Sequence, residues 1–189
     1  YQAGFLYVAQ YDSGLWVLDV SDPGNPEKAA EVDLPSVLDV WVQGDVAYAT
    51  STDWDGGFVT VDISEPENPQ LLQIYNPSGW FHPFYVSVSG SYAYVTLNFG
   101  EVYLFDVSDP SNVVELEKYV TPGEAIHLFA TEGMLFVSDG PSGLQILQND
   151  LITGIGDEPD TAAAPGIEAY PNPVSDKFHL VAPTDTDVA

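Results

Sequence analysis

The sequence repeats itself, and this limits what it can fold into more than any other feature. Gly14-Leu-Trp-Val-Leu-Asp19-Val-Ser-Asp-Pro23-Gly-Asn25-Pro26 returns as Gly57-Phe-Val-Thr-Val-Asp62-Ile-Ser-Glu-Pro66-Glu-Asn68-Pro69, and again as Glu101-Val-Tyr-Leu-Phe-Asp106-Val-Ser-Asp-Pro110-Ser-Asn112. The aspartates Asp19, Asp62 and Asp106 stand 43 and 44 residues apart. A fourth copy, Gly143-Leu-Gln-Ile-Leu-Gln148-Asn-Asp150, keeps the apolar run without the aspartate and prolines, as a terminal repeat does.

Two further echoes lie between these segments. Leu6-Tyr-Val-Ala returns as Ala47-Tyr-Ala-Thr, Ala93-Tyr-Val-Thr and Leu135-Phe-Val-Ser, and Val40-Trp-Val-Gln-Gly44 returns as Val86-Ser-Val-Ser-Gly90 and Leu128-Phe-Ala-Thr-Glu-Gly133. Each unit therefore holds four short runs, which in the second are about Leu38 to Val42, Val46 to Ser51, Phe58 to Ile63 and Leu71 to Tyr75. Turn residues bound them: Gln43-Gly44-Asp45, then 53–57, then 64–69. Val, Ile, Tyr and Phe crowd these runs, and no segment keeps a sustained 3.6-residue apolar period. Four strands, A to D, in a unit of about 40 to 45 residues predict a propeller blade. The fold class is therefore all-β and propeller-type, a partial propeller of about three and a half four-stranded antiparallel blades over 1–148. A linker over 149–168 and a short β tail over 169–189 follow. Propellers use about four to eight blades, so more repeats are expected before Tyr1, and a stretch standing alone is expected to be an open arc whose end strands invite pairing.

The segment Gly-Leu-Trp-Val-Leu-Asp-Val-Ser-Asp-Pro-x-Asn-Pro resembles the LVIVD repeat, a propeller-type repeat of bacterial and archaeal surface proteins. The resemblance spans about residues 1 to 148 and brings no catalytic residues with it. In physical terms Asp19, Asp62 and Asp106 each end strand C, where a carboxylate can accept backbone amides of the next turn. Pro23, Pro66 and Pro110 fix that corner, and Asn25, Asn68 and Asn112 tolerate its backbone angles. Metal binding is the sharper reading of these aspartates, but each sits on a separate blade.

Charge narrows the partners. The chain carries 29 acidic residues against three basic ones, for a formal net charge of −26. Nucleic acid and anionic membrane surfaces both need Lys and Arg clusters that this chain lacks. The partners that remain are cations, neutral glycans and other proteins. No cysteine is present, which removes disulfides, thiolate nucleophiles and Cys-ligated zinc. No run approaches the length of a membrane-spanning segment.

Beyond Asn149 the pattern dissolves into Gly, Pro, Ala and acids, the composition of a linker. There follows Tyr170-Pro171-Asn172-Pro173-Val-Ser-Asp-Lys177-Phe-His-Leu-Val181, a proline-pinned turn entering a short strand over Lys177 to Val181. It resembles the opening of the C-terminal sorting domain of the bacterial type IX secretion system. That resemblance implies export through the secretion machinery to an extracellular or outer-surface location. Sorting domains continue through several further strands, so 169–189 holds the start of one.

In an up-and-down blade the B–C and D–A loops emerge on one face, and the regular A–B and C–D turns on the other. The variable-loop face is where function concentrates. Its richest loops belong to the second blade: Asp53-Trp54-Asp55 between B and C, and Asn76 to Pro83, with Trp80 and His82, between D and A. Asp53, Trp54, Asp55, Trp80 and His82 on one rim are a candidate ligand site, suited to stacking a sugar ring or to holding Ca²⁺ through oxygen. The plainer reading packs the tryptophans over the blade end and leaves the acids as solvated turn formers. Trp16 and Trp41 alternate with strand neighbours, and His127 begins a strand, which suggests core positions for all three. His82, His127 and His179 lack metal-ligand spacing, and no nucleophile elbow, phosphate loop or His-Glu-x-x-His motif occurs.

The residues thus predict a secreted or surface-attached, non-catalytic scaffold for protein or glycan interaction, with no catalytic residue and no cofactor unless Ca²⁺. An extracellular carbohydrate-active enzyme and a Ca²⁺-dependent adhesin are the alternatives, the first because paired carboxylates can come from distant strands.

Overall fold

The computed structural model describes residues 4–78, 81–97, 100–131, 133–149 and 167–170. Its strands form four antiparallel sheets in chain order. Sheet 1 holds β1 (Phe5–Ala9), β2 (Leu15–Asp19) and β3 (Glu27–Val32); sheet 2 holds β4 (Val37–Gln43), β5 (Val46–Ser51), β6 (Gly57–Asp62) and β7 (Gln70–Tyr75). Sheet 3 holds β8 (Pro83–Ser89), β9 (Tyr92–Leu97), β10 (Glu101–Asp106) and β11 (Val114–Val120). Sheet 4 holds β12 (His127–Thr131), β13 (Met134–Ser138), β14 (Leu144–Asn149) and β15 (Ile167–Tyr170). Every sheet runs up and down in sequence order, and the four do not close into a ring. The fold is all-β, a partial propeller. A single 3-10 turn, Gly140–Ser142, is the only helical element among the described residues, and none of their helices could cross a membrane.

Strand β15 was not expected as a blade strand. Ile167–Tyr170 lies where the linker ends and the tail begins, yet it pairs with β14 from Asn149↔Ile167 to Ile146↔Tyr170. It gives sheet 4 its outer strand. Tyr170 of the tail motif ends that strand, whereas Pro171, Asn172, Pro173 and His179 lie outside the described residues.

The core consists of three layers, one between each successive pair of sheets. Along β5 and β6 the side chains alternate, as strand geometry requires. Ala47, Ala49, Val59 and Val61 pack back on sheet 1, while Tyr48 and Phe58 pack forward on sheet 3. Sheet 3 repeats the arrangement: Ala93, Val95 and Phe105 face back and Tyr94, Val102 and Leu104 face forward. These central residues are almost completely excluded from solvent. Burying each large apolar side chain contributes about 1.5–3 kcal/mol, so the layers dominate the stability of the arc.

The layer between sheets 2 and 3 is aromatic. Phe58 and Phe105 lie 4.9 Å apart, Tyr75 meets Phe105 edge to face at 5.0 Å, and Phe81 meets Tyr75 at 5.6 Å and Tyr103 at 5.2 Å. Polar groups also bridge sheets. The innermost strand of each sheet has amides without a ladder partner, and side chains of the preceding sheet accept some of them. Val86 N–H donates to Asp39 Oδ2 at 3.0 Å and Ala130 N–H to Ser87 Oγ at 2.9 Å.

The repeated aspartates share one geometry. Asp19, Asp62 and Asp106 each accept, through Oδ1, the N–H of the serine two residues on, at 2.8 Å in all three. The prolines then sit second in turns closed by Asn25 N–H to Asp22 O, Asn68 N–H to Glu65 O and Asn112 N–H to Asp109 O. Just before each aspartate the pairing of strands C and D shifts register, between Val17 and Leu18, Thr60 and Val61, and Leu104 and Phe105. Such bulges sharpen the twist at one place in every sheet. The glycine opening strand C has its own cause: at Gly14 (φ 75°) and Gly57 (φ 148°) a Cβ would collide with the Val32 or Tyr75 carbonyl oxygen at the end of the neighbouring strand.

Two sequence expectations fail here. Trp16 is half-buried and lies outside the buried layers, on the outer face of sheet 1, with its indole N–H on Ser13 O and the Lys28 ammonium 4.3 Å above its ring. His127 is exposed at the start of β12, against Tyr85 at 4.9 Å. Trp41 is half-buried against the aromatic layer and meets Phe129 at 6.2 Å.

Phe58→Ala should cost about 3–5 kcal/mol, because it opens a cavity where Tyr48 and Phe105 meet; urea unfolding of both proteins measures it. Hydrogen bonds to the serine hydroxyl and amide lower the Asp19 pKa, and bonds to the serine amide first, then its hydroxyl, lower those of Asp62 and Asp106. A carboxylate with a lowered native pKa binds its proton more readily when unfolded, so its contribution is complete above the unfolded value of about 3.9 and vanishes as pH falls through the native one. The triple variant Asp19→Asn, Asp62→Asn, Asp106→Asn keeps the acceptors and removes the charges. Its stability deficit relative to wild type should be full at pH 6 and shrink between about pH 5 and 2, as denaturant titrations across that range would show.

Candidate functional site

The connection between β5 and β6 and the one between β7 and β8 emerge on the same face of sheet 2. The first is a tight turn: Gly56 N–H donates to Asp53 O at 2.9 Å, and Asp53 Oδ1 accepts the Trp54 N–H at 2.7 Å. Trp54 therefore sits at the tip, with its side chain held outward. The residue is 60% exposed. Asp53 and Asp55 flank it in solvent.

The second connection is tied to the first by side chains. Asn76 donates from Nδ2 to Trp54 O at 3.0 Å and to Gly56 O at 2.7 Å, while its Oδ1 is buried without a partner among the described residues. His82 Nδ1 lies 2.6 Å from Thr52 O, so that nitrogen carries the proton and donates. The His82 ring meets the Trp54 ring edge on, with centroids 6.0 Å apart and planes at 84°. Beneath them Phe81 is buried in the aromatic layer, which fixes the chain on the near side of His82. Tyr75, at the start of the loop, donates its hydroxyl to Glu115 Oε2 of sheet 3 at 2.5 Å. Burial first and that carboxylate second push its phenol well above the ordinary tyrosine pKa.

The structure thus brings Trp54 and His82 into contact, with Asp53 and Asp55 on the same turn. Trp80 lies outside the described residues. Thr52 and Asn76, neither of them a candidate site residue in the sequence, do the anchoring, the first with its backbone carbonyl and the second with its side-chain amide. Neither belongs to a motif: Thr52 offers only its backbone oxygen to His82, and Asn76 donates to backbone oxygens of the Trp54 turn. Among the described residues no three His, Asp or Glu side chains converge to hold a metal ion. What the rim offers is an aromatic ring on a rigid turn, with carboxylates around it able to accept hydroxyl protons.

One buried carboxylate lies elsewhere on this face. Asp139 accepts the Thr121 hydroxyl and, at 2.9 Å, the Gly123 N–H, so it ties the loop entering sheet 4 to the end of β13. Both its oxygens are engaged, and its role is to hold two loops together.

Residues 2–33, 36–77 and 85–121 match the LVIVD repeat, one stretch for each of the first three sheets. The chain belongs to the LVIVD repeat family. The fourth sheet follows the third LVIVD stretch with the same strand order but a diverged sequence. Solved structures share the arrangement. A protein from Lactobacillus plantarum superposes with a TM-score of 0.67 at 16% identity, covering 90% of this chain and 52% of that one. BamB from Moraxella catarrhalis gives 0.58 at 17%, covering 78% and 41%. Sqt1 from Saccharomyces cerevisiae gives 0.59 at 16%, covering 79% and 43%. At such identities the likeness concerns the fold alone, and the LVIVD chain spans about half the length of these structures. No curated protein matches its sequence.

Asn76→Ala should leave the fold intact and release the Trp54 turn. Two amide bonds worth about 0.5–1.5 kcal/mol each are lost, and hydrogen exchange at Gly56 should speed up by about tenfold while the core strands keep their protection.

Proposed function

We propose that this LVIVD chain is a non-catalytic interaction scaffold, and that the rim around Trp54 binds neutral glycan. The observation that carries this reading is the pairing of a solvent-facing indole with a turn pinned from two sides by Asn76 and His82. A rigid, exposed aromatic ring loses little entropy on binding and presents an apolar face to the C–H side of a sugar, while Asp53 and Asp55 stand near to accept its hydroxyls. The net charge of −26 selects against anionic polysaccharides and favours neutral ones.

The setting we propose is the outer cell surface or the medium. Its support is the Tyr170-Pro171-Asn172-Pro173 segment, which resembles the start of a type IX sorting domain and would engage the secretion machinery.

Affinity electrophoresis through gels containing xyloglucan, galactomannan, laminarin or dextran tests the rim. At least one of these should retard the protein, and Trp54→Ala should weaken that retardation by tenfold or more without changing thermal stability by more than a few degrees. Equal retardation of wild type and variant, or none at all, would refute the rim as the site. Release of soluble oligosaccharide during prolonged incubation would refute the non-catalytic reading.

A further inference from the structure

The turn that carries Trp54 has a counterpart one sheet back. Gly14 and Gly57 lead into the equivalent strands of sheets 1 and 2, so counting back from them sets Gln10-Tyr11-Asp12-Ser13 against Asp53-Trp54-Asp55-Gly56. The closing bond is the same in both: Ser13 N–H donates to Gln10 O at 2.6 Å, and Gly56 N–H to Asp53 O at 2.9 Å. Tyr11 therefore stands at the tip of its turn as Trp54 does, with an exposed aspartate after it, and is 52% exposed. Sheets pack on both sides of the one that bears Trp54, so exposure at this place belongs to the turn itself. Sheet 4 repeats the turn, with Ser142 N–H on Asp139 O at 3.0 Å, but has Gly140 and Pro141 where the ring and the aspartate stand. The turn thus closes without an aromatic residue, and the rings on sheets 1 and 2 are not there to build it.

The two aromatic turns are also held at a fixed separation. Tyr11 O accepts the Val37 N–H at 3.1 Å, and Val37 pairs with Ser51 at the end of sheet 2 where the Trp54 turn begins. Beside it Ser36 O accepts the Thr52 N–H at 3.1 Å, and Thr52 O in turn accepts from His82. Among the described residues Ser36 is the only one other than glycine with positive φ, at 47°, a conformation that persists only where neighbouring bonds enforce it. A run of backbone hydrogen bonds therefore passes from one aromatic turn to the other. Packed sheets stand about 10 Å apart, so equivalent turns on successive sheets are set wider than one sugar ring reaches.

We propose that the rim reads an extended chain rather than a single sugar: Trp54 and Tyr11 stack on two separated units of one neutral polysaccharide that crosses from sheet 2 to sheet 1, with Asp55 and Asp12 accepting hydroxyls beside them. This rests on the glycan reading of the Trp54 rim and adds to it a second ring, a direction across the sheets and a minimum ligand length. A chain stacked on one ring holds its further units close to the other, so the second contact adds affinity only for ligands long enough to span both. Because the frame between the turns is already bonded, little ordering is needed when the chain arrives.

Isothermal titration of the full chain with cello-, manno-, laminari- and isomalto-oligosaccharides of two, four and six units tests the two-ring site. In at least one series the affinity should rise by about tenfold or more from the disaccharide to the hexasaccharide. Tyr11→Ala should flatten that rise to under about threefold and leave disaccharide binding close to wild type, whereas Trp54→Ala should weaken binding at every length. The Val37 bond uses the Tyr11 backbone, so Tyr11→Ala should keep the circular dichroism of wild type. Tyr11→Trp, which keeps a ring at the tip, should retain or steepen the rise, and loss of the rise in that variant would overturn stacking at this position. A wild type whose affinity does not grow with length, or growth unchanged in Tyr11→Ala, overturns the two-ring site and leaves the Trp54 rim standing. Absence of binding in every series, or binding that Trp54→Ala does not weaken, overturns both.

Discussion

Everything in this chain depends on one sheet packing its large residues into the small ones of the next. Tyr48 and Phe58 reach forward from sheet 2, and Ala93 and Val95 in sheet 3 make room for them. The same exchange of bulk follows between sheets 3 and 4, where Tyr94 meets Leu135 and Val137. Within a sheet, hydrogen bonds fix the register, but they do not say where the sheet goes. The direction of the arc comes from this size difference between faces, together with the bulge before each strand-C aspartate that sets the twist. Within one antiparallel sheet the connections after β5 and after β7 leave from the same end. That is how the turn bearing Trp54 and the loop bearing His82, separated by β6 and β7, come into contact.

The acidity of the chain is compatible with this core because its charges are kept out of the layers. Asp19, Asp62 and Asp106 are spent on amides at the strand-C corners, in water, where a carboxylate costs little and an unbonded amide would be a loss. The two carboxylates that go deeper are fully occupied. Asp39 receives the Val40 and Val86 amides, and Asp139 receives the Thr121 hydroxyl and the Gly123 amide. Both lie at the join between one sheet and the next. The backbone groups that a sheet leaves unpaired at its inner edge are thus matched by acceptors from its neighbour, which adds directional bonds to a contact otherwise governed by shape.

Much of this was legible in the sequence, for a physical reason: strands and turns are local. A two-residue alternation bounded by Gly44-Asp45, by the turn over 53–57 and by Asp62-Ile-Ser-Glu-Pro66 marks β5 and β6 within a residue of their observed limits. Alternation also says which residues share a face. It does not say whether anything covers that face, and this is why Trp16 reads as core when it lies on the side of sheet 1 against which no described sheet packs, and why His127 reads as packed when it is exposed. Strand β15 was missed for a related reason. Four residues following a Gly, Pro and Ala stretch carry too little pattern, and what makes them a strand is the open edge of β14. The candidate site was visible through Trp54 and His82, whereas Thr52 contributes a backbone oxygen and Asn76 bonds to backbone oxygens of another turn, and a backbone oxygen leaves no trace in residue identity.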